Sequence, residues 1–283
     1  MSDMTSDFAN CAGYEIHFTQ WGHAHPTTIV MWHGLARTGR DFDAAAEHLS
    51  QRYRVLCPDT IGRGLSQWAS DEHDYGLDTY AQIATELLDA LDIKRVRWLG
   101  TSMGGALGIK LAAGVLKERI THLVLNDFGP EPAVTSVERI IDYVSHPPVF
   151  NSVAELEAYL RIVYAPFGYQ TDPQWRTMAE TSLRRTDDGR VTLHYDPALI
   201  QQLTHHPTDY LLWDEYDRVT CPTLLLRGEN SDLLSPEVAQ RMTVRGPKCR
   251  WIDIPGCGHA PALNVAAQWQ HLDAFFEFEG SQA

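Results

Sequence analysis

The chain has 283 residues, 44% of them hydrophobic, with a formal net charge of −14. That length supports a substantial core in one large domain or two average ones, and the acidic balance argues against nucleic acid or an anionic membrane as partner. No run approaches the roughly eighteen apolar residues of a transmembrane helix, and the polar opening "MSDMTSDFAN" lacks a signal-peptide pattern, so a cytoplasmic protein is expected.

Short apolar, β-branched runs alternate with longer helical patterns. The predicted strands are "YEIHFTQWG" (14–22), "TIVMWHG" (28–34), "RVLCPD" (54–59), "VRWLG" (96–100), "HLVLND" (122–127), "PTLLLRG" (222–228) and "RWIDIPG" (250–256). Helical patterns cover about 40–50, 78–91, 103–116, 235–243 and 264–278. Continuous apolar runs suit strands covered on both faces, so the expected class is α/β, an open, mostly parallel sheet with helices on both faces. Residues 129–219 break the rhythm, with many aromatics, amphipathic stretches and no convincing buried strand. They are expected to form a largely helical cap, leaving 1–128 and 220–283 as the core domain.

In such sheets, functional groups gather beyond the carboxyl ends of the strands. Gly100-Thr101-Ser102-Met103-Gly104 is a G-x-S-x-G placed between an apolar strand and a helical pattern, the context of a sharp strand–turn–helix elbow. Ser102 is the expected nucleophile. A serine hydroxyl needs a base, and His259 in "PGCGHAPAL" (255–263) sits in a glycine-rich loop after the last strand. The carboxylate that orients it is expected to be Asp232 in "GENSD", after the preceding strand. Asp127, one strand earlier, is the competitor, and Glu229 lies too close to its strand end. Two amides should face the oxyanion of a tetrahedral intermediate, that of Met103 after the serine and that of Leu35 in "HGLARTG" (33–39).

The five cysteines form neither a disulfide framework nor a zinc pattern. The histidine pairs His23/His25 and His205/His206 lack acidic or cysteine partners at ligand spacing. No metal and no cofactor is implied. Arg37 is expected to be solvated or salt-bridged rather than free for a substrate carboxylate. Cap aromatics Tyr143, Phe150, Tyr164, Phe167, Trp175 and Trp213 are candidates to line a pocket, with packing as the commoner role for any one of them.

These motifs, in this order, resemble the α/β-hydrolase superfamily over nearly the whole length. "HGL" is similar to its His-Gly-x element and "PDTIGRGLS" (58–66) to its D-x-x-G-x-G-x-S loop, through Asp59, Gly62, Gly64 and Ser66. The resemblance implies a structural role for His33. A serine at the elbow disfavours the aspartate-dependent dehalogenases and epoxide hydrolases of the superfamily. "HGLARTG" and "HAPA" depart from the longer glycine run and the tryptophan after histidine of its carbon–carbon bond hydrolases. The expected activity is hydrolysis of a small carboxylic ester or lactone through an acyl-enzyme. The alternatives are carbon–carbon hydrolysis of a vinylogous diketone, acyl transfer or perhydrolysis, and a non-catalytic ligand sensor.

Overall fold

The computed structural model describes residues 4–277, without the Tyr143 side chain. In chain order, the strands are β1 (Thr5–Cys11), β2 (Tyr14–Trp21), β3 (Thr28–Trp32), β4 (Arg54–Pro58), β5 (Val96–Thr101), β6 (Ile120–Asn126), β7 (Val149–Phe150), β8 (Leu183–Arg185), β9 (Val191–Leu193), β10 (Thr223–Gly228) and β11 (Arg250–Ile254). The α-helices are α1 (Asp43–Leu49), α2 (Leu77–Ala90), α3 (Met103–Ala113), α4 (Val134–Ser145), α5 (Val153–Val163), α6 (Asp172–Thr181), α7 (Gln202–His205), α8 (Trp213–Tyr216), α9 (Pro236–Met242) and α10 (Ala266–Phe276).

Among the described residues, eight strands form one sheet in the order β1-β2-β4-β3-β5-β6-β10-β11. β1, β2 and β4 pair antiparallel, and every pairing from β4 to β11 is parallel. β3 shows why both faces are covered. Its alternation sends Val30 and Trp32 into the core beneath α2 and α3, and Ile29 and Met31 into the core beneath α1 and α10. Trp32 stacks on Trp98 of β5 at 5.4 Å within the first of these cores. No helix among the described residues is long and apolar enough to cross a membrane.

β1 departs from expectation. Its sequence "TSDFANC" carries little apolar signal because it is an edge strand, mostly exposed. A tight turn at Ala12 and Gly13, both at positive φ, folds it onto β2. The interval between β6 and β10 is also not purely helical. β7, β9 and β8 make a small antiparallel sheet there, in strands of two or three residues that are too short to show a period.

The chain reverses its direction of travel across the sheet around β3. β4 lies on one side of it and β5 on the other, so the loops after β3 and β5 flank a topological switch point. The 129–219 interval packs against the loop after β11. The carbonyl of Pro166 accepts from Gly258 N–H at 2.6 Å, and that of Phe167 accepts from Ala262 N–H at 3.1 Å.

Candidate active site

Ser102 sits between the last residue of β5 and the first of α3, with φ 52° and ψ −116°. This is a conformation non-glycine residues rarely adopt, and it turns the side chain out of the strand–helix joint. The flanking glycines make the joint possible. A Cβ on Gly100 would lie 2.0 Å from the Gly104 carbonyl oxygen, and one on Gly104 would lie 2.1 Å from that of Trp32. Projected in this way, Ser102 Oγ stands 3.0 Å from His259 Nε2.

The carboxylate behind His259 is Asp127. His259 Nδ1 lies 2.7 Å from Asp127 Oδ2, and Asp127 is fully buried. Its other oxygen accepts from Gly228 N–H at 2.7 Å, and Ser231 Oγ donates to Oδ2 at 2.6 Å. An acceptor-only carboxylate facing Nδ1 assigns the ring proton to Nδ1, leaving Nε2 to accept from the serine hydroxyl.

The geometry therefore corrects the expectation for Asp232. After β10 the chain turns tightly, with Ser231 N–H bonded to the Gly228 carbonyl and Asn230 N–H to that of Cys257. The turn presents Ser231 to the histidine and carries Asp232 past it. Asp232 is half-exposed at the cavity wall, paired with Arg139 of α4 at 2.6 Å. Glu229 accepts from Gly256 N–H at 3.0 Å.

His33 follows β3, and Gly34 packs against Ser102: a Cβ on Gly34 would lie 3.5 Å from that of Ser102. His33 is wholly buried. Its Nδ1–H donates to the Gly34 carbonyl at 2.7 Å, and its Nε2 accepts from Thr60 N–H at 2.9 Å. Burial pushes the imidazole down to about 4, so it is neutral near pH 7. Because the peptide is planar and trans, pinning the Gly34 carbonyl on one side aims the Leu35 N–H to the other. Met103 opens α3, where the first amides of a helix have no intrahelical acceptor. Asp59 anchors the loop after β4, accepting from Gly39 N–H at 2.8 Å and Leu65 N–H at 3.0 Å. Burial alone would raise Asp59, but its bond to His17 and the neighbouring amides hold it below the usual range.

Two linking residues were not singled out in the sequence. Asn126, the last residue of β6, donates from Nδ2 to Thr101 Oγ1 and to the Pro261 carbonyl, both at 2.9 Å. It thus ties the segment before Ser102 to the segment after His259. Ser231 is the other. Their one sequence signal is position, since each lies at or just beyond the carboxyl end of a predicted strand.

A cavity of about 750 Å³ opens over Ser102 and His259. Tyr164 and Phe167 line it, with Val163, Met178, Leu35 and Ile140 adding apolar wall. Phe150 packs on Tyr159, Trp213 on Tyr216, and Trp175 lies beneath Arg161, all away from the cavity. The Tyr143 side chain lies outside the described residues. Arg37 is salt-bridged to Asp41 and sits 4.6 Å over the Tyr164 ring, so its charge is already engaged. Away from the cavity, His205 stacks on His73 and pairs with Glu72, while His23 meets Thr5 and Gln20. Among the described residues no cluster of three histidine, cysteine or acidic side chains is placed to hold a metal ion.

A sequence profile of the alpha/beta hydrolase family matches residues 29–269. The 3-hydroxybutyrate-oligomer hydrolase of Cupriavidus necator is 38% identical over 273 residues, covering 93% of each chain. The 2-hydroxy-6-oxononadienedioate/2-hydroxy-6-oxononatrienedioate hydrolase of Cupriavidus pinatubonensis is 27% identical, over 93% of this chain and 88% of that one. Among solved structures, an alpha/beta hydrolase from Novosphingobium aromaticivorans matches with a TM-score of 0.86 and 31% identity, covering 98% of this chain and 99% of that one. The profile covers the parallel strands from the second residue of β3 onward, the Ser102 elbow and the His259 loop, and the chain belongs to the α/β hydrolase family, a family of hydrolytic enzymes.

Proposed function

We propose that the protein is a serine hydrolase that cleaves carboxylic esters through an acyl-enzyme. The observation that carries this reading is the continuous chain Ser102 Oγ–His259–Asp127, at 3.0 and 2.7 Å, facing the cavity. His259 Nε2 takes the hydroxyl proton as Ser102 Oγ attacks the ester carbonyl. Asp127 keeps the ring in the Nδ1–H tautomer and stabilises the imidazolium. The amides of Leu35 and Met103 receive the developing oxyanion. The tetrahedral intermediate expels the alcohol, which takes the proton from His259. Water, deprotonated by His259, then attacks the acyl-Ser102 carbonyl, and the acid leaves as the serine proton returns. Residues 129–219 act as the cap that shapes the substrate cavity.

For the substrate class, we propose short oligoesters of a hydroxy acid such as 3-hydroxybutyrate. The similarity to the Cupriavidus necator enzyme supports this, as does a cavity of about 750 Å³ lined by Ser102 and His259. The decisive assay combines a p-nitrophenyl butyrate burst with release of monomer from a 3-hydroxybutyrate dimer and trimer. Both activities should fall by about 10⁶-fold in Ser102→Ala. Turnover that survives this substitution would sink the serine mechanism, and turnover of simple esters without the oligomers would confine the reading to small esters.

One second reading has a specific motive, the similarity to the Cupriavidus pinatubonensis dienedioate hydrolase. Bleaching of a coloured vinylogous diketone at a rate above that of ester hydrolysis would favour it. The "HGLARTG" and "HAPA" segments argue for the ester.

A further inference from the structure

We infer that Arg63 is a positioning residue for the oxyanion site, holding Leu35 and Met103 in register from behind; this rests on the serine-hydrolase reading above. Arg63 is the residue between Gly62 and Gly64 in "DTIGRG", and both glycines have positive φ, 76° and 56°. That double turn sends the side chain inward, where it is completely buried.

Its contacts converge on the two residues whose amides face the reacting oxygen. Nε donates to the Leu35 carbonyl at 2.8 Å, and Nη2 lies 3.6 Å from the Met103 sulfur. Nη1 donates to the Ile61 carbonyl at 2.7 Å and to Tyr80 Oη at 2.9 Å. The guanidinium thus spans the loop after β3 and the start of α3, elements that meet at Ser102 but are far apart in sequence. His33 already pins the carbonyl before Leu35 N–H, and Arg63 pins the carbonyl after it. With both flanking carbonyls fixed, the Leu35 amide loses the rotation that would turn it from the oxyanion. The Met103 contact sets the depth at which the first turn of α3 sits.

The charge matters as well as the fork. Among the described residues Arg63 has no carboxylate partner; its polar neighbours are carbonyls, a phenol and a thioether, with the Tyr75 and Tyr80 rings 5.6 and 5.3 Å away. A buried cation without a counter-ion is costly; the carbonyl dipoles and tyrosine rings offset part of that cost, and negative charge appearing nearby offsets more. The tetrahedral intermediate supplies such charge, so the field of Arg63 favours it over the neutral ester.

The test compares Arg63→Met and Arg63→Lys with wild type on p-nitrophenyl butyrate, normalised to Ser102 sites labelled by a fluorophosphonate. Alongside, a trifluoromethyl ketone, which places an oxyanion in the site, is compared with the matching neutral alcohol as inhibitor. In Arg63→Met, kcat per labelled site should fall about 100-fold with KM unchanged to within about threefold. Affinity for the trifluoromethyl ketone should fall by a similar factor and affinity for the alcohol should hold. Arg63→Lys should regain about tenfold of the loss, keeping the cation without the fork.

A residue that merely stabilises the fold would lower the number of labelled sites and leave kcat per site and the inhibitor ratio as in wild type. That result overturns the inference. If Arg63→Met does not fold, Arg63→Lys decides. A drop of about tenfold in kcat per site at unchanged KM supports the role, and wild-type kcat overturns it. Wild type lacking Ser102-dependent turnover would overturn the parent reading first, a result separable from wild-type-like Arg63 variants of an active enzyme.

Discussion

Ser231 Oγ donates to Asp127 Oδ2 at 2.6 Å, the same carboxylate oxygen that faces His259 Nδ1 at 2.7 Å. Two loops therefore converge on one point beside the histidine. The loop after β6 delivers a carboxylate there, and the loop after β10 delivers a hydroxyl. With Gly228 N–H on the second oxygen, the buried carboxylate is hydrogen-bonded on both oxygens, which a buried charge requires.

Asp127→Asn is expected to lower kcat by about 10⁴-fold, because an amide at this position can present N–H to Nδ1 and favour the wrong tautomer. Asp232→Asn should stay within about threefold of wild type, since it breaks a half-exposed ion pair with Arg139. Steady-state kinetics on p-nitrophenyl butyrate with both purified variants would decide it. Equal losses would show that the Asp232 pair, not only the buried carboxylate, controls the site.

Ser231→Ala removes one charge-assisted hydrogen bond from Asp127 while leaving the Gly228 amide in place. A loss of about 1–2 kcal/mol, roughly tenfold in kcat, is expected. The convergence of the loops leads to a stronger test. Adding Ser231→Asp to Asp127→Asn places a carboxylate where the hydroxyl stood, and the double variant should recover at least about tenfold over Asp127→Asn alone. No recovery would mean that the backbone after β10 cannot bring an acid to Nδ1.

Much of this was legible because the central strands are covered on both faces. β3 and β10 are buried at every position, and such runs read as continuous apolar stretches. Ser102 was legible through glycines whose absent side chains make room for the elbow, and His259 through the glycine-rich loop that carries it. The acid was not, for a topological reason. β6 and β10 are neighbours in the sheet, so Asp127 and Asp232 both follow strands that end beside the histidine loop. Spacing along the chain does not reveal which loop turns its carboxylate inward. Side-chain direction decides it, through the positive φ of Asp127 at 55° and the tight Gly228–Ser231 turn. Arg63 lies within the 58–66 motif, but its part is not legible there, because its partners Leu35 and Met103 come from segments that only the sheet order brings together.

Gly100→Ala should leave little folded protein. The new Cβ would meet the Gly104 carbonyl oxygen at 2.0 Å, and backbone on both sides cannot yield as a flexible side chain could. A destabilisation above about 3 kcal/mol is expected. Thermal unfolding monitored by tryptophan fluorescence would check it, and a melting temperature within a few degrees of wild type would contradict the close approach of strand and helix.

The buried His33 makes stability depend on pH in a defined window. Its imidazole titrates near 6.5 when unconstrained but only at about 4 in the fold, where burial opposes the charge. Protonation would also put a hydrogen on Nε2, which already accepts from the Thr60 N–H at 2.9 Å. Between these two pH values the unfolded chain binds the proton and the folded chain does not. Stability present above pH 6.5 is therefore lost as pH falls towards 4. The full difference corresponds to about 3 kcal/mol, of which about 2 kcal/mol is lost by pH 5. His33→Gln removes the titration. It should be less stable than wild type at pH 7.5, lacking the paired bonds to Gly34 and Thr60, yet lose about 2 kcal/mol less between pH 7.5 and pH 5. Urea unfolding of both proteins at the two pH values measures this difference. Parallel losses in the two proteins would show that other groups govern the acid limb and that His33 tolerates its proton in place.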